Sequence, residues 1–436
     1  MRVNNISFTG YDARKLDGFV MTSNYGNVVE EMTRIGQQEG FNVYFVNYNN
    51  NSDTFEIRKN QKIKEENYPP LDYPQDAMGI HKNKLLTAFE DERITDAVKH
   101  HFSLIRDRKE VQACKKFPIH EVKTKLSELM NLPTQTINGE KVYFYTDANT
   151  KKTIPMGEDE FITKFATNKN ALETMLDKTH IRGGNYFITK NKSGEDELII
   201  GADELKKFDK DQIKHMFSVQ TVRVIPQMDK DLDLFIRPLN NGRILIADDN
   251  MTKQTIKEGL KKTLKSAHEQ ATMGNYASLE LLRRSYTTLS TMLSAFDNVV
   301  AANRYAQTDE TAKVLEDAGY EVIRVPGRLY SPDNDNPNKL TQFFNFMNAN
   351  VLLNKDNELV YITNDSIFDR VTLGITKDIE KLTGFSMQKS FLDALKKQVG
   401  PIRIYTIAGN NNSITDTLVN DSKGIHSMCA EVPEKE

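Results

Sequence analysis

Short apolar runs alternate with amphipathic stretches along most of this chain. Leu16 to Thr22 is apolar, Asn27 to Gln38 carries helix formers ended by Gly40, and Phe41 to Val46 is rich in β-branched and aromatic residues. That order predicts strand, helix, strand, with the glycine as a C-terminal cap. Lys84 to Phe89 and Lys141 to Tyr145 read as further strands, and the charged stretch from Asp91 to about Met130 reads as helix, as does Glu158 to Asp177. A second unit follows: strands at 180–188 and 197–201, helix at 209–217 and strand at 222–226. Asp233 to Pro238 and Arg243 to Asp248 flank Asn240-Asn241-Gly242, a strong hairpin turn.

From Thr252 to about Asn303 the pattern is helical and strandless, and Lys253, Lys257, Lys261, Lys262 and Lys265 form a basic series read as a solvated helix surface. The strand–helix rhythm then returns: helix at 311–318, strand at 321–325, a hairpin from Phe346 to Leu353 and Glu358 to Thr363, helix at 389–399, strand at 402–407, and a last loop into strand from Gly424 to Val432. Hairpin, helix, strand thus recurs without sequence identity between copies. The expectation is one α/β domain spanning 1–436, with insertions at 91–177 and 252–310.

Composition narrows the function classes. The 436 residues include 58 basic and 61 acidic side chains, a net charge of −3, which gives no electrostatic reason to expect nucleic acid or an anionic membrane as partner. Two distant cysteines, Cys114 and Cys429, make neither a disulfide framework nor a zinc site. The N-terminal residues lack a signal-peptide pattern and no apolar run reaches the ~20 residues that span a bilayer, so a cytoplasmic setting is expected.

Four short segments carry candidate chemistry: Tyr73-Pro74-Gln75-Asp76-Ala77-Met78-Gly79, Ile181-Arg182-Gly183-Gly184-Asn185, Pro226-Gln227-Met228-Asp229-Lys230-Asp231-Leu232-Asp233-Leu234-Phe235 and Gly424-Ile425-His426-Ser427-Met428-Cys429. An extended strand would put Asp229, Asp231 and Asp233 on one face, where three like charges require a cation such as a guanidinium, a divalent ion or a lysine. Gly183-Gly184 fits a tight turn or a pocket border, and no nucleotide-binding glycine pattern is present.

In this order the segments resemble signature positions of the pentein superfamily of guanidino-group-modifying enzymes: arginine, agmatine and peptidylarginine deiminases and amidinotransferases. The first is similar to aromatic-x-Arg-Asp-x-Gly, with Gln75 in place of arginine and Asp76 retained. The second is similar to Glu-Gly-Gly-Asn, with Arg182 in place of the acid. The third stands where the family has His-x-Asp; Gln227/Asp229 and Asp231/Asp233 both fit the spacing, and neither supplies histidine. The fourth is similar to Gly-Ile-His-Cys, with Ser427 in the nucleophile slot. Phe346 to Asn354 is similar to the strand hairpin before the last module.

The resemblance implies a pentein-like pseudo-fivefold αβ propeller with helical insertions, no cofactor and no metal, and cleavage of a C–N bond at a guanidinium carbon of a small-molecule or peptidyl substrate. It implies catalytic positions at Ser427, Cys429, Asp231 and Gln227, and substrate contacts from Asp76, Gly184, Asn185, Asp229, Asp233 and His426. Paired carboxylates suit a planar, forked, permanently charged guanidinium. Serine is a weaker nucleophile than a thiolate and needs an adjacent base. Cys429 would share Ser427's strand face but sits ~6.5 Å further along. The competing expectation is a catalytically dead member that binds a guanidino ligand or a protein.

Overall fold

The computed structural model describes residues 10–21, 26–49, 54–59, 78–81, 84–87, 92–105, 112–115, 134–137, 140–146, 150–157, 183–191, 193–206, 208–227, 231–294, 296, 299–332, 340–364, 373–407 and 429–433. The first half contains β1 (Gly10–Tyr11), β2 (Leu16–Met21), α1 (Gly26–Glu39), β3 (Asn42–Asn49), β4 (Thr54–Lys59), β5 (Met78–His81), β6 (Lys84–Thr87), α2 (Glu92–Ile105), β7 (Gln112–Lys115), β8 (Thr134–Ile137), β9 (Glu140–Thr146) and β10 (Thr153–Gly157). Then come β11 (Tyr186–Lys190), β12 (Asp196–Gly201), α3 (Lys210–Phe217), β13 (Thr221–Ile225), β14 (Ile236–Pro238), β15 (Arg243–Ala247), α4 (Asp249–Thr272), α5 (Tyr276–Ser294) and α6 (Val299–Asp317). The last elements are β16 (Glu321–Val325), β17 (Arg328–Pro332), β18 (Leu340–Asn345), β19 (Asn350–Leu353), β20 (Leu359–Asn364), α7 (Leu373–Thr383), α8 (Met387–Val399), β21 (Arg403–Ile407) and β22 (Cys429–Pro433).

Among the described residues, five sheets share one plan: an antiparallel pair whose second strand continues through helix into a parallel third. They are β22-β2-β3, β5-β6-β7, β11-β12-β13, β14-β15-β16 and β19-β20-β21, with β4 and β1 added at the edges of the first and third. A parallel partner cannot be reached by a tight turn, so each unit needs its helical crossover. Contacts join most of these units: β22 meets β5, α6 meets β13, α8 meets β16, and α1 meets β21, which brings the last unit back to the first. Glu39 at the end of α1 reinforces that return, accepting from Asn354 Nδ2 at 2.7 Å and from Arg403 Nη1 at 3.2 Å. The fold class is mixed α/β, as the sequence predicts, and each sheet ends after two to four strands.

Local sequence explains the elements. Leu198-Ile199-Ile200 and Ile244 to Ala247 are buried throughout, as central strands covered on both faces must be. Met387, Phe391, Leu395 and Val399 form the buried stripe of α8; Ser386 Oγ caps it by accepting from Lys389 N at 3.1 Å, and Gly400 ends it at φ +88°. The Phe391 ring stacks on Phe346 at 5.0 Å in a core whose members run from Ala13 to Val399. Burial of a side chain of that size stabilises by about 1.5–3 kcal/mol.

Three expectations are corrected. The stretch read as helix to about Met130 contains strand β7, because parallel pairing with Lys84–Thr87 decides a segment whose own pattern is neutral. The strand expected from Asp233 begins only at Ile236; Leu232–Leu234 is a 3-10 turn. The strand expected from Phe346 begins at Asn350. The helix expected at 158–177 lies outside the described residues.

Candidate functional site

Two of the four motif segments meet as 3-10 turns at the starts of neighbouring sheets: Gly183–Asn185 leads into β11, and Leu232–Leu234 precedes β14. Gly184 lies so close to Asp233 that a Cβ there would stand 2.9 Å from Cγ, Oδ1 and Oδ2 of the carboxylate. Asp233 is buried, and its Oδ2 accepts from Asn348 Nδ2 at 3.0 Å. Asn348 is itself set by a side-chain turn: Asn345 Oδ1 accepts from Met347 N and Asn348 N, while Asn345 Nδ2 donates to Leu234 O at 3.0 Å. Turn and loop therefore fix each other around one carboxylate.

Asn185 faces the ends of the other strands of its own sheet, β12 and β13. Its Nδ2 donates to Glu204 Oε1 at 2.7 Å and to Gln227 Oε1 at 3.1 Å, and Gln227 Oε1 also accepts from Asp203 N at 3.2 Å. A Cβ on Gly201 would lie 2.4 Å from Asn185 Oδ1, so glycine is needed where this amide crosses the strand end. Gln227 is thus tied to Asn185, while Asp231 stands half-buried at the N-cap of the next turn without a side-chain capping bond. The turn also overturns the one-face expectation for Asp231 and Asp233: only an extended strand would align them, and only Asp233 is buried.

Next to Asp233 lies a fully buried ion pair. Arg237 Nη2 donates to Glu431 Oε1 at 2.9 Å, and Tyr11 N donates to Glu431 Oε2 at 2.8 Å. The Arg237 guanidinium lies 5.3 Å from the centroid of Phe187. Burial pushes the Glu431 carboxyl up to about 7, against the pull of Arg237 and the Tyr11 amide. The same burial lowers Arg237 and raises the Tyr361 phenol. A second buried arginine, Arg328, reaches Asp249 Oδ2 at 3.4 Å and lies 5.3 Å from Phe235. The sequence reading missed Arg237, Glu431, Arg328, Asn348 and Glu204. The available signal was a charge inside an apolar strand run, as in Ile236-Arg237-Pro238 and Ala430-Glu431-Val432.

Cys429 opens β22, pairs with Met21 and is fully buried beside Asn350. Burial pushes its thiol well above the ordinary range, so at neutral pH it is protonated. Ser427, His426, Asp76 and Asp229 lie outside the described residues. Among the described residues no group of three or more His, Cys, Asp or Glu could hold a metal ion, and no helix is long and apolar enough to cross a membrane.

No family model matches the chain, and no curated protein matches it. Among solved structures it is similar to the N-terminal domain of an ArgZ variant covalently bound to a reaction intermediate. That likeness spans 95% of this chain and 97% of that one, at 10% identity and a TM-score of 0.34, and so leaves the functional reading to the chain's own residues.

Proposed function

We propose that this chain is a pentein-like protein of the guanidino-group-modifying kind, a single pseudo-fivefold domain whose site receives the guanidinium of a small molecule or peptidyl arginine. The observation that carries this reading is the approach of Gly184 to Asp233, which joins two motif segments far apart in sequence around a buried carboxylate. The recurrence of five hairpin–helix–strand units, with the last touching the first, supports the scaffold. In this reading Asp231/Asp233 is the register that matters, and Asp233 is the guanidinium-facing carboxylate, joined by Asp76. Asn185 and Gln227 shape the wall beside it, Asp229 and His426 border the ligand, and Ser427 holds the nucleophile slot. Hydrolysis would follow the guanidino pattern: attack on the central carbon, departure of ammonia, release of the adduct by water.

A second reading, binding without turnover, is supported by one observation: the Cys429 thiol is fully buried and held protonated, which counts against it as a substitute nucleophile.

The test pairs binding with turnover. Arginine, agmatine and an arginine peptide are titrated calorimetrically, and ureido product and ammonia are measured for the protein, Ser427→Cys and Asp233→Asn. At least one ligand is expected to bind, with affinity falling tenfold or more in Asp233→Asn. Product from the protein or from Ser427→Cys supports the enzyme reading, and binding without product supports the binding module. No binding of any of the three ligands, or unchanged affinity in Asp233→Asn, sinks the guanidino assignment.

A further inference from the structure

The helical hairpin of α4 and α5 is anchored only at its root. Thr252, Ile256, Gly259, Thr263 and Ser266 are the buried stripe of α4. The Phe385 ring fills the space a side chain on Gly259 would need, and Ser266 Oγ donates to Leu382 O at 2.8 Å. Past Ser266 no residue from 267 to 281 is buried, so the hairpin extends beyond its last anchor by about 10 Å at 1.5 Å per residue.

Its tip carries large apolar side chains that the turn does not need. Gly274, at φ +69°, makes the reversal, and Asn275 Oδ1 accepts from Ser278 N at 3.3 Å to start α5. Met273 and Tyr276 contribute only backbone N–H groups to this turn, donating to Glu269 O and Gly274 O, yet they are 75% and 80% exposed. Of the five large apolar side chains exposed among the described residues, four (Leu264, Met273, Tyr276 and Tyr286) lie on this hairpin.

The charge around them opposes that of the chain, which has a net charge of −3: between Lys257 and Tyr286 stand six basic and three acidic side chains. Lys257, Lys261, Leu264, Lys265 and His268 recur at helical spacing on the face opposite the buried stripe. Lys257 and Lys261 make no ion pair among the described residues, and Lys265 reaches Glu269 only at 3.9 Å. Glu280 is already engaged by Arg283 and Arg284 at 2.8 and 3.0 Å.

We infer that the α4–α5 hairpin is a docking arm for a partner protein, whose contact surface has an apolar centre for Met273 and Tyr276 and an acidic flank for the Lys257–Lys265 face. Tyr and Met anchors within a charged rim are the composition of protein interfaces, and like-charge exclusion would give selectivity. A nucleic acid would use the lysines but leave the apolar tip without its own role; a bilayer could take Met273 and Tyr276, but the chain's net charge of −3 opposes an anionic surface.

The test uses a fluorescent 20-residue helical peptide with a leucine stripe flanked by glutamates. Controls are the same peptide with lysine for glutamate, a 20-nucleotide single-stranded RNA, and phosphatidylserine-containing vesicles. The acidic peptide is expected to bind the full chain with an affinity that falls as salt rises. Binding should weaken at least tenfold in Met273→Ser/Tyr276→Ser and in Lys261→Glu/Lys265→Glu, and remain unchanged in Lys206→Glu, a surface lysine elsewhere. All these positions are solvent-facing, so circular dichroism should match the parent. No binding of the acidic peptide, equal binding of the lysine peptide, no loss in the tip variant, or preferential binding of RNA or vesicles overturns the assignment.

Discussion

Replacing Glu431 by Gln should flatten the pH dependence of stability between pH 4.5 and 7.5. In the folded chain the carboxyl titrates at about 7, raised from an ordinary value of 4.5, because burial outweighs its contacts with Arg237 and Tyr11 N. A raised carboxyl holds its proton more tightly when folded. Its contribution is therefore fully present below the unfolded value and is lost as pH rises through about 7. A difference of this size corresponds to about 3 kcal/mol at 1.36 kcal/mol per pH unit. Urea unfolding followed by far-ultraviolet circular dichroism suits a chain without tryptophan. The unfolding free energy of the parent minus that of Glu431→Gln isolates the group, and should fall by about 3 kcal/mol across that window. Arg237→Met supplies the complement: without that cation burial pushes the Glu431 carboxyl further up and keeps it protonated at pH 8, so the variant should lose more stability relative to the parent at pH 8 than at pH 5. A parent-minus-variant difference that stays constant with pH would refute the claim that Glu431 is a buried carboxyl working against its own desolvation.

Gly184→Ala should destabilise the fold by ~1–3 kcal/mol and abolish guanidino-ligand binding, because its Cβ meets a carboxylate that Asn348 holds in place; thermal melting and calorimetry measure both. Full stability would mean the Gly184–Asp233 approach relaxes freely. Cys429 should resist a thiol reagent in the native protein and react only after unfolding, as peptide mass mapping will read; rapid native labelling would contradict its burial and protonation.

Much of the local architecture is legible in the residues themselves. The reversal at Asn240-Asn241-Gly242 appears as a hairpin turn with Asn241 at φ +57° and Gly242 at φ +68°, the conformation these residue types tolerate. The strandless helical stretch from Thr252 to about Asn303 lies within α4, α5 and α6, apart from the turn Met273–Asn275, from 295 and 297–298, which lie outside the described residues, and from Phe296, a single 3-10 position. Ser386 and Gly400 bracket α8 as side-chain cap and left-handed stop. These features depend on backbone preference and on spacing within one turn or strand, which a sequence states directly.

The site depended on what the sequence does not state. Gly184 meets Asp233, Gln227 meets Asn185, and Arg237 meets Glu431 across intervals that carry no local signature. The Asp-x-Asp spacing reads equally as one face of a strand, and it became a 3-10 turn because Leu232 and Leu234 are both buried while Asp233 turns to Asn348. Strand β7 exists because β6 offers it a parallel edge. Composition and period thus determined the α/β class, the helices and the hairpins, since these follow from local backbone energetics. Tertiary packing decided which carboxylate is buried, what it bonds and which thiol is silenced, because desolvation and long-range pairing exist only once the sheets have come together.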